Sequence, residues 1–344
     1  MKNTMLRLLI AGLIISLPFA PAGAQSVVNE ADAARQQRDA EQIFRNLRKA
    51  GATAPDLYPD EASDTGPQSV LRAQPRPTWF DVSIDGQLFY TDNMLFRQQA
   101  AERTEASVFV NTVQVALTPP PCETGGGRLA PRLGYRHQWF NYGLVEGSAV
   151  KNFYDFDSET VFADATWQAG PWQVQAGFDW TRLLDHQPTY TSYHELYNEL
   201  SPRWGVQRVI PVCPRSALLL AYLGSYHFSR VDPVTVNEGT PPVPVFHPAD
   251  RNDRWEHTLL AAYSVALTRH LVAQPFYRYQ LTGYTVERRT DQLHSVGCSL
   301  AWFFNERVNA RIFTSYDLRQ STNPLVADYR KLDAGVGLNL NFRF

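Results

Sequence analysis

The sequence is poor in cysteine, in charge and in long apolar runs. It has 3 Cys in 344 residues, and an odd number leaves at least one thiol unpaired, which excludes a disulfide-dense scaffold. Charged residues make up 19% and the formal net charge is −2, so we expect no nucleic-acid partner. After residue 25 no segment approaches the roughly 18–20 apolar residues that a membrane helix requires.

Motifs of known chemistry are also missing. The sequence has no G-x-S-x-G nucleophile motif, no H-E-x-x-H and no Cys pair at metal-binding spacing. Asp185 and His186 stand at a predicted loop edge near Asp179 and His194, but adjacent positions on a strand point to opposite faces. We therefore predict no catalytic residue, no metal and no cofactor, and we keep a hydrolase sited at the rim as an alternative.

The N-terminus has the three parts of a secretory signal. Lys2 and Arg7 precede an apolar run over 8–17, and the small residues Ala22–Ala24 follow. The apolar run is too short for a membrane anchor. This pattern predicts a signal peptide over 1–24 and an exported protein.

Two further segments precede the main domain. Residues 25–50 contain a stretch without Pro or Gly that predicts a helical leader, although its apolar face is thin. Residues 51–78 are rich in Pro and acidic residues and predict a linker. The leader is compatible with a solvated periplasmic helix, a pore plug or a helix that packs on a partner.

From residue 79 to 344 the sequence alternates between apolar and polar residues. The last segment is the clearest: Leu332, Ala334, Val336, Leu338, Leu340, Phe342 and Phe344 alternate with small or polar neighbours. The same alternation recurs over 80–90, 172–181 and 309–319. Strict alternation indicates strands with one apolar and one polar face.

The C-terminal strand resembles that of Gram-negative outer-membrane β-barrels. Phe344 ends the chain, with Phe342 and Leu340 on the same face. The resemblance implies that these three residues form the signal read by the barrel assembly machinery. It also implies an all-β fold, a transmembrane antiparallel barrel over 79–344 in the bacterial outer membrane, with membrane lipid as a partner.

Counting the alternating segments predicts about twelve strands. They lie near 79–92, 105–118, 128–141, 153–168, 172–184, 195–211, 217–230, 254–268, 271–286, 293–304, 309–321 and 331–344. Tight turns alternate with longer connections, which is typical of an even-stranded barrel with turns on the periplasmic side. The connection 119–127 is long although it falls on the turn side. Cys122 and Cys213 both fall on that side, and whether they pair is left open.

If the polar faces point inward, charged side chains of both signs line the lumen. This predicted set is Asp81, Asp85, Arg132, Arg136, Asp164, Asp179, Glu195, Glu199, Arg203, Arg278, Arg311, Asp317 and Arg319. Such a lumen favours diffusion of small hydrophilic solutes, as in a porin. The alternatives are a closed structural or adhesive barrel in which these side chains pair and fill the interior, and the rim-sited hydrolase. The sequence leaves the solute and the oligomeric state open.

Overall fold

The computed structural model describes residues 78–99, 103–144, 155–185, 194–238, 243–324 and 326–344. The predicted signal peptide, helical leader and all but the last residue of the linker lie outside these ranges. Across them, no helix has the length and apolarity needed to cross a membrane.

The described residues form fifteen strands. They are β1 (Phe80–Thr91), β2 (Ala106–Leu117), β3 (Cys122–Thr124), β4 (Gly127–Tyr142), β5 (Phe156–Ala169), β6 (Trp172–Asp185), β7 (His194–Cys213), β8 (Ser216–Val231), β9 (Val234–Glu238), β10 (Val243–His247), β11 (Arg254–Ala266), β12 (Leu271–Tyr284), β13 (Thr290–Phe303), β14 (Val308–Ser321) and β15 (Tyr329–Arg343). Three of these strands, β3, β9 and β10, are short, and the other twelve coincide with the predicted segments within a few residues.

The twelve long strands close into a barrel. Each pairs with its neighbour in an antiparallel ladder, β4 pairs with β2 across the short β3, and β1 pairs with β15 from Asp81–Arg343 to Thr91–Asp333. Every long strand is therefore hydrogen-bonded on both sides. The predicted closed antiparallel barrel of twelve strands is confirmed.

The connections divide the barrel into two ends. Short turns join β5 to β6, β7 to β8, β11 to β12 and β13 to β14, and both barrel termini lie at that end, which we call the turn end. The opposite end, the loop end, carries the longer connections, among them 232–253, which contains the β9–β10 hairpin. The connection 119–127 at the turn end is long because β3 within it folds back on the start of β4. Gly125 and Gly126 make that reversal with φ of 58° and 73°, which glycine adopts without steric cost.

The two faces of each strand differ as alternation predicts. Exterior positions carry large apolar side chains that are 36% or more exposed, including Ile84, Leu133, Phe178, Leu259, Val296, Ile312 and Val336. Interior positions of the same strands carry Ser, Thr, Gln, Asp, Glu and Arg that are mostly buried. A barrel that is apolar outside and polar inside has the opposite distribution to a soluble protein, which suits the hydrocarbon core of a bilayer.

The interior is packed most tightly at the loop end. One residue from each long strand forms what we call the outer ring: Thr91, Ala106, Tyr142, Phe156, Leu183, Tyr197, Val231, Arg254, Tyr284, Asp291, Arg319 and Tyr329, none more than 7% exposed. On the β2–β8 side this ring merges with an apolar cluster that includes Val108, Val110, Phe140 and Met94. The rings of Phe140 and Phe156 stack at 4.3 Å between centroids.

A segment of the β1–β2 connection folds into this layer. Asn93 is fully buried; its side-chain nitrogen donates to the backbone oxygens of Arg97 and Arg330, each at 2.8 Å. Met94 joins the apolar cluster. The barrel's own chain therefore covers part of its loop end.

Candidate functional site

Twelve of the thirteen predicted lumen residues lie on interior positions. They are Asp81, Asp85, Arg132, Arg136, Asp164, Asp179, Glu199, Arg203, Arg278, Arg311, Asp317 and Arg319. In each strand they occupy the same alternate positions, odd or even, as the buried polar residues. Their exposure differs widely: the Arg132 side chain is 31% exposed and that of Arg311 is 3%. The interior is thus one polar surface with an accessible part and an occluded part.

Glu195 is the exception. A β-bulge between Leu183 and Leu184 shifts the register, so that Leu183 pairs with Tyr197 and Leu184 with Glu195. Because Leu183 faces inward, Leu184 and its partner Glu195 take the opposite face. Glu195 is exposed and accepts a hydrogen bond from Asn198, which also binds the indole nitrogen of the exterior Trp180. The assignment of Glu195 to the lumen is wrong, since strict alternation fails at a bulge.

Four of the predicted residues form a continuous ion-pair chain, which we call the wall ladder. Arg132 binds Asp164 through Nε and Nη2, the latter at 3.0 Å. Arg203 binds Asp164 through Nη2 and Asp179 through Nε, both at 3.0 Å. Neighbouring strands β4, β5, β6 and β7 each supply one member. The register places these residues side by side: Arg132 pairs with Asp164, and Gly177, two residues before Asp179, pairs with both Asp164 and Arg203.

The wall ladder lies in the accessible part of the interior. The side chains of Arg132 and Arg203 are 31% and 17% exposed, and Gln173 and Gln175 beside them are half-buried. The Arg132 guanidinium also lies 4.9 Å from the ring centroid of Phe162. Charged groups in contact with water and held in a fixed geometry orient dipolar or charged solutes.

A second charged group, which we call the buried cluster, occupies the loop end. It consists of Tyr197 and Glu199 on β7, His227 on β8, and Arg254 and Glu256 on β11. Arg254 donates from Nε to Glu256 at 2.7 Å and from Nη1 to Glu199 at 3.2 Å and to the Tyr197 hydroxyl at 2.9 Å. Arg254 is 1% exposed.

His227 bridges the two carboxylates of the buried cluster. Its Nδ1 lies 3.2 Å from Glu199 and its Nε2 lies 3.6 Å from Glu256. Ser201 and Ser225 are within 2.9 Å and 2.8 Å of the same two ring nitrogens. Buried charges require partners of opposite sign and satisfied hydrogen bonds, so this cluster binds three strands tightly together.

The remaining interior charges pair along β1 and β12–β15. Arg319 binds Asp291 at 2.5 Å, and Lys331 binds Asp333 at 2.9 Å. Arg311 lies 3.7 Å from Asp85, and Arg278 donates to Ser295 at 2.9 Å. At the turn end Leu219, Ala262 and Val272 of β8, β11 and β12 are buried as well, so the β8–β12 side of the interior is occluded at both ends.

Interior aromatic rings lie against the wall over glycines of the next strand. A Cβ at Gly134 would fall within 3.0 Å of the Phe162 ring, and one at Gly297 within 3.0 Å of the Phe276 ring. The absence of a side chain at the glycine leaves space for the ring. These rings therefore take up less of the lumen than rings that project toward its axis.

Sequence reasoning missed His227, Arg254, Glu256, Asp291, Lys331 and Asp333. A signal was present: Arg254, Glu256 and Thr258 alternate with Trp255 and His257, as the interior residues of other strands do. The apolar interior residues Val108 and Val110 carried no such signal, because β2 has apolar residues on both faces.

Other chemistry has little support among the described residues. They contain no group of three or more His, Cys, Asp or Glu side chains placed to hold a metal ion. Cys122, Cys213 and Cys298 are exposed free thiols, so Cys122 and Cys213 are not bridged. His186 lies outside the described residues, and His194 is half-buried at the loop end.

The predicted assembly signal lies where β15 meets β1. The backbone nitrogens of Trp79 and Phe80 donate to the Phe344 oxygen at 2.7 Å and 3.1 Å, and the Phe344 side chain is 69% exposed. Recognition by the assembly machinery stays a prediction.

No protein family and no curated protein matches this sequence. Among solved structures, the chain is similar to an outer membrane channel from Pseudomonas putida F1 (9% identity, 81% of this chain, 100% of that chain, TM-score 0.48). It is similar to the translocator domain of the autotransporter NalP from Neisseria meningitidis (14% identity, 92% and 98% covered, TM-score 0.45). It is also similar to the KdgM porin (11% identity, 76% and 99% covered, TM-score 0.37).

The chain's own features define its class. It is a closed barrel of twelve antiparallel strands, apolar where it faces outward and polar where it faces inward. Short turns stand at one end and longer loops at the other, and aromatic residues such as Trp172 and Trp302 flank the turn end. These are the properties of an integral β-barrel of the bacterial outer membrane.

Proposed function

We propose that the barrel is a narrow outer-membrane channel for small hydrophilic solutes, accessible from the turn end and closed at the loop end in its resting state. The observation that carries this proposal is the wall ladder. Arg132 and Arg203 remain partly exposed to the interior although both are bound to carboxylates. A barrel filled only for stability has no need of exposed ion pairs, which contribute little to folding free energy.

The passage runs along β4–β7. There Thr166, Gln173, Gln175 and Ala130 are half-buried at the turn end, while the facing positions Leu219, Ala262 and Val272 of β8–β12 are buried. The lumen is therefore offset toward one wall. A solute that enters meets two guanidinium groups and two carboxylates before it reaches the outer ring.

The outer ring makes the resting state closed. Solute transit requires at least part of the ring to move, and the apolar sector around Phe140 and Val108 is bound by dispersion and apolar burial rather than by ion pairs. We place the opening there, at the loop end of β2 and β4, because the β7–β11 sector is held by the buried cluster.

A second candidate is a structural barrel with a permanently closed lumen. The observation that favours it is the outer ring itself, since all twelve members are at most 7% exposed.

Conductance of the refolded mature protein in a planar lipid bilayer tests both. A channel gives discrete steps whose ion selectivity shifts toward cations in Arg203→Glu, because the charge change lies in the passage. The matched control Arg230→Glu changes an exposed exterior residue near the loop end and should leave selectivity unchanged. A chain truncated before Trp79 is measured alongside, and higher conductance of that form would assign the leader as a plug.

Absence of steps from every form, with native heat-modifiable migration in gels, would contradict the channel. Steps with unaltered selectivity in Arg203→Glu would contradict the passage along β4–β7.

A further inference from the structure

The turn end of the barrel carries a set of exposed arginines, which we call the arginine rim. They are Arg128, Arg208, Arg215, Arg269, Arg307 and Arg343. The exposed acidic residues described at this end are Glu123 and Glu306, and the half-buried Asp81 binds Arg343 at 3.1 Å. The rim therefore has a net positive charge.

The chain that leads into the barrel has the opposite charge. Between Gly51 and Leu71 there are four acidic residues, Asp56, Asp60, Glu61 and Asp64, and no Lys or Arg. This acidic segment is tethered to the rim, because β1 begins at the turn end at Phe80.

From these two observations we propose that the acidic segment 56–64 docks on the arginine rim of its own barrel. The proposal does not depend on whether the barrel conducts. Individual exposed ion pairs are weak. A tether makes the contact intramolecular, with an effective concentration in the millimolar range, and so makes weak attraction sufficient.

The tether is long enough to reach any part of the rim. Thr78 lies fourteen residues after Asp64, a distance that spans up to about 46 Å when the chain is extended. A flexible chain of that length has a root-mean-square span of about 20 Å. A backbone barrel of twelve strands about 4.8 Å apart and tilted by about 40° is roughly 24 Å wide.

Charge decides which part of the rim the segment occupies. Glu123 pairs in register with Arg128, which balances the charge beside Cys122. Arg208 and Arg215 flank Cys213 on the far side of the barrel from β1, and among the described residues neither has an ion-pair partner. Attraction therefore draws the segment toward Cys213, whereas a neutral tether would favour Cys122, which is nearer to its anchor in the sheet order.

The two native thiols thus report the docked position. In full-length mature protein carrying Cys298→Ser, a Ser63→Cys substitution places a thiol within the acidic segment. Disulfide formation from position 63 to Cys213 and to Cys122 is measured in neutral detergent by peptide mapping. Each yield is normalised to the rate at which a neutral maleimide modifies that cysteine.

We expect cross-linking to Cys213 to exceed that to Cys122 by about fivefold at low salt. The preference should disappear near about 1 M salt, where the Debye length is about 3 Å. It should also disappear when Asp60→Asn, Glu61→Gln and Asp64→Asn are combined, and when Arg208→Gln and Arg215→Gln are combined. Arg330→Gln, an exposed arginine at the loop end, is the matched control and should change nothing.

Equal or greater cross-linking to Cys122 at low salt overturns the proposal. A preference for Cys213 that survives high salt or the two arginine substitutions overturns its electrostatic basis. The same measurement in vesicles containing phosphatidylglycerol tests whether anionic lipid, rather than segment 56–64, occupies the rim. A preference lost there but present in phosphatidylcholine vesicles would assign the rim to anionic lipid headgroups rather than to segment 56–64.

Discussion

Arg254 in the buried cluster and Arg132 at the end of the wall ladder show how differently one barrel uses the same side chain. Arg254 in the buried cluster is 1% exposed and touches two carboxylates and a tyrosine. Arg132 in the wall ladder is 31% exposed and binds one carboxylate in two-point fashion. Removing a partner is costly only where water cannot replace it. The loop end is therefore occluded, whereas the β4–β7 wall keeps charged groups accessible to the interior.

Replacing each arginine with methionine should give the largest difference in unfolding free energy between the two groups. Arg254→Met leaves Glu199 and Glu256 buried with His227 alone, and should lower the free energy of unfolding by about 3–5 kcal/mol. Arg132→Met should lower it by about 1 kcal/mol or less. Urea unfolding in lipid vesicles, followed by tryptophan fluorescence, gives both values. Equal losses would show that the loop end is no more occluded than the wall.

The apolar sector of the outer ring gives the next largest effect. Phe140 is 2% exposed and stacks on Phe156, so Phe140→Ala should cost about 3 kcal/mol and leave a cavity in the outer ring at the loop end of the wall. We expect higher single-channel conductance as well. Phe246→Ala, in the β9–β10 hairpin with Phe246 65% exposed, is the control and should stay within about 0.5 kcal/mol. A lower conductance in Phe140→Ala would argue against an opening in this sector.

The flat aromatic rings of the lumen wall allow a subtler test. Gly134→Ala, on the β4–β7 wall, puts a methyl group within 3.0 Å of the Phe162 ring and of the Val115 backbone oxygen. The ring must move toward the lumen and the neighbouring backbone must shift, which should cost about 1–3 kcal/mol and reduce conductance. At Gly86 the nearest atom to an added Cβ is 3.5 Å away, so Gly86→Ala should be nearly neutral. Unchanged conductance in Gly134→Ala would mean that Phe162 does not border the passage.

The smallest effect is expected at the loop that carries β9 and β10. Arg251 is 5% exposed, and its Nη1 donates to the backbone oxygens of Asp232 and Pro248 at 2.8 Å and 3.1 Å. Burial lowers the pKa of Arg251, but a guanidinium stays protonated at physiological pH. Limited proteolysis of this loop should therefore be constant between about pH 5 and 9. Arg251→Gln should speed cleavage by about fivefold, from a loss of about 1 kcal/mol, while the exposed Arg288→Gln should not. A cleavage rate that rises across this pH range would assign the anchor to another group.

The sequence predicted the barrel better than it predicted the interior. Alternation in β14 and β15 is strict, so the faces of Arg311, Asp317 and Arg319 follow from parity alone. The alternation is interrupted at the bulge opposite Leu183, where the unpaired Leu196 on β7 leaves Glu195 facing outward. It also does not say which polar residues are hydrated, because exposure depends on side chains from strands far apart in sequence. The contact between Glu199, His227 and Arg254 was therefore not predictable.

Closure of β1 on β15 has a mechanical consequence. Twelve ladders arranged in a circle behave as a hoop, in which a load on one strand is passed in both directions to all the others. Such an object has no terminal strand from which to unravel, so loss of any one ladder converts a stiff ring into an open ribbon with two adhesive edges. The barrel should consequently yield in a single step under force or heat, and the strands at the junction of Trp79 and Phe344 carry as much of that load as any others.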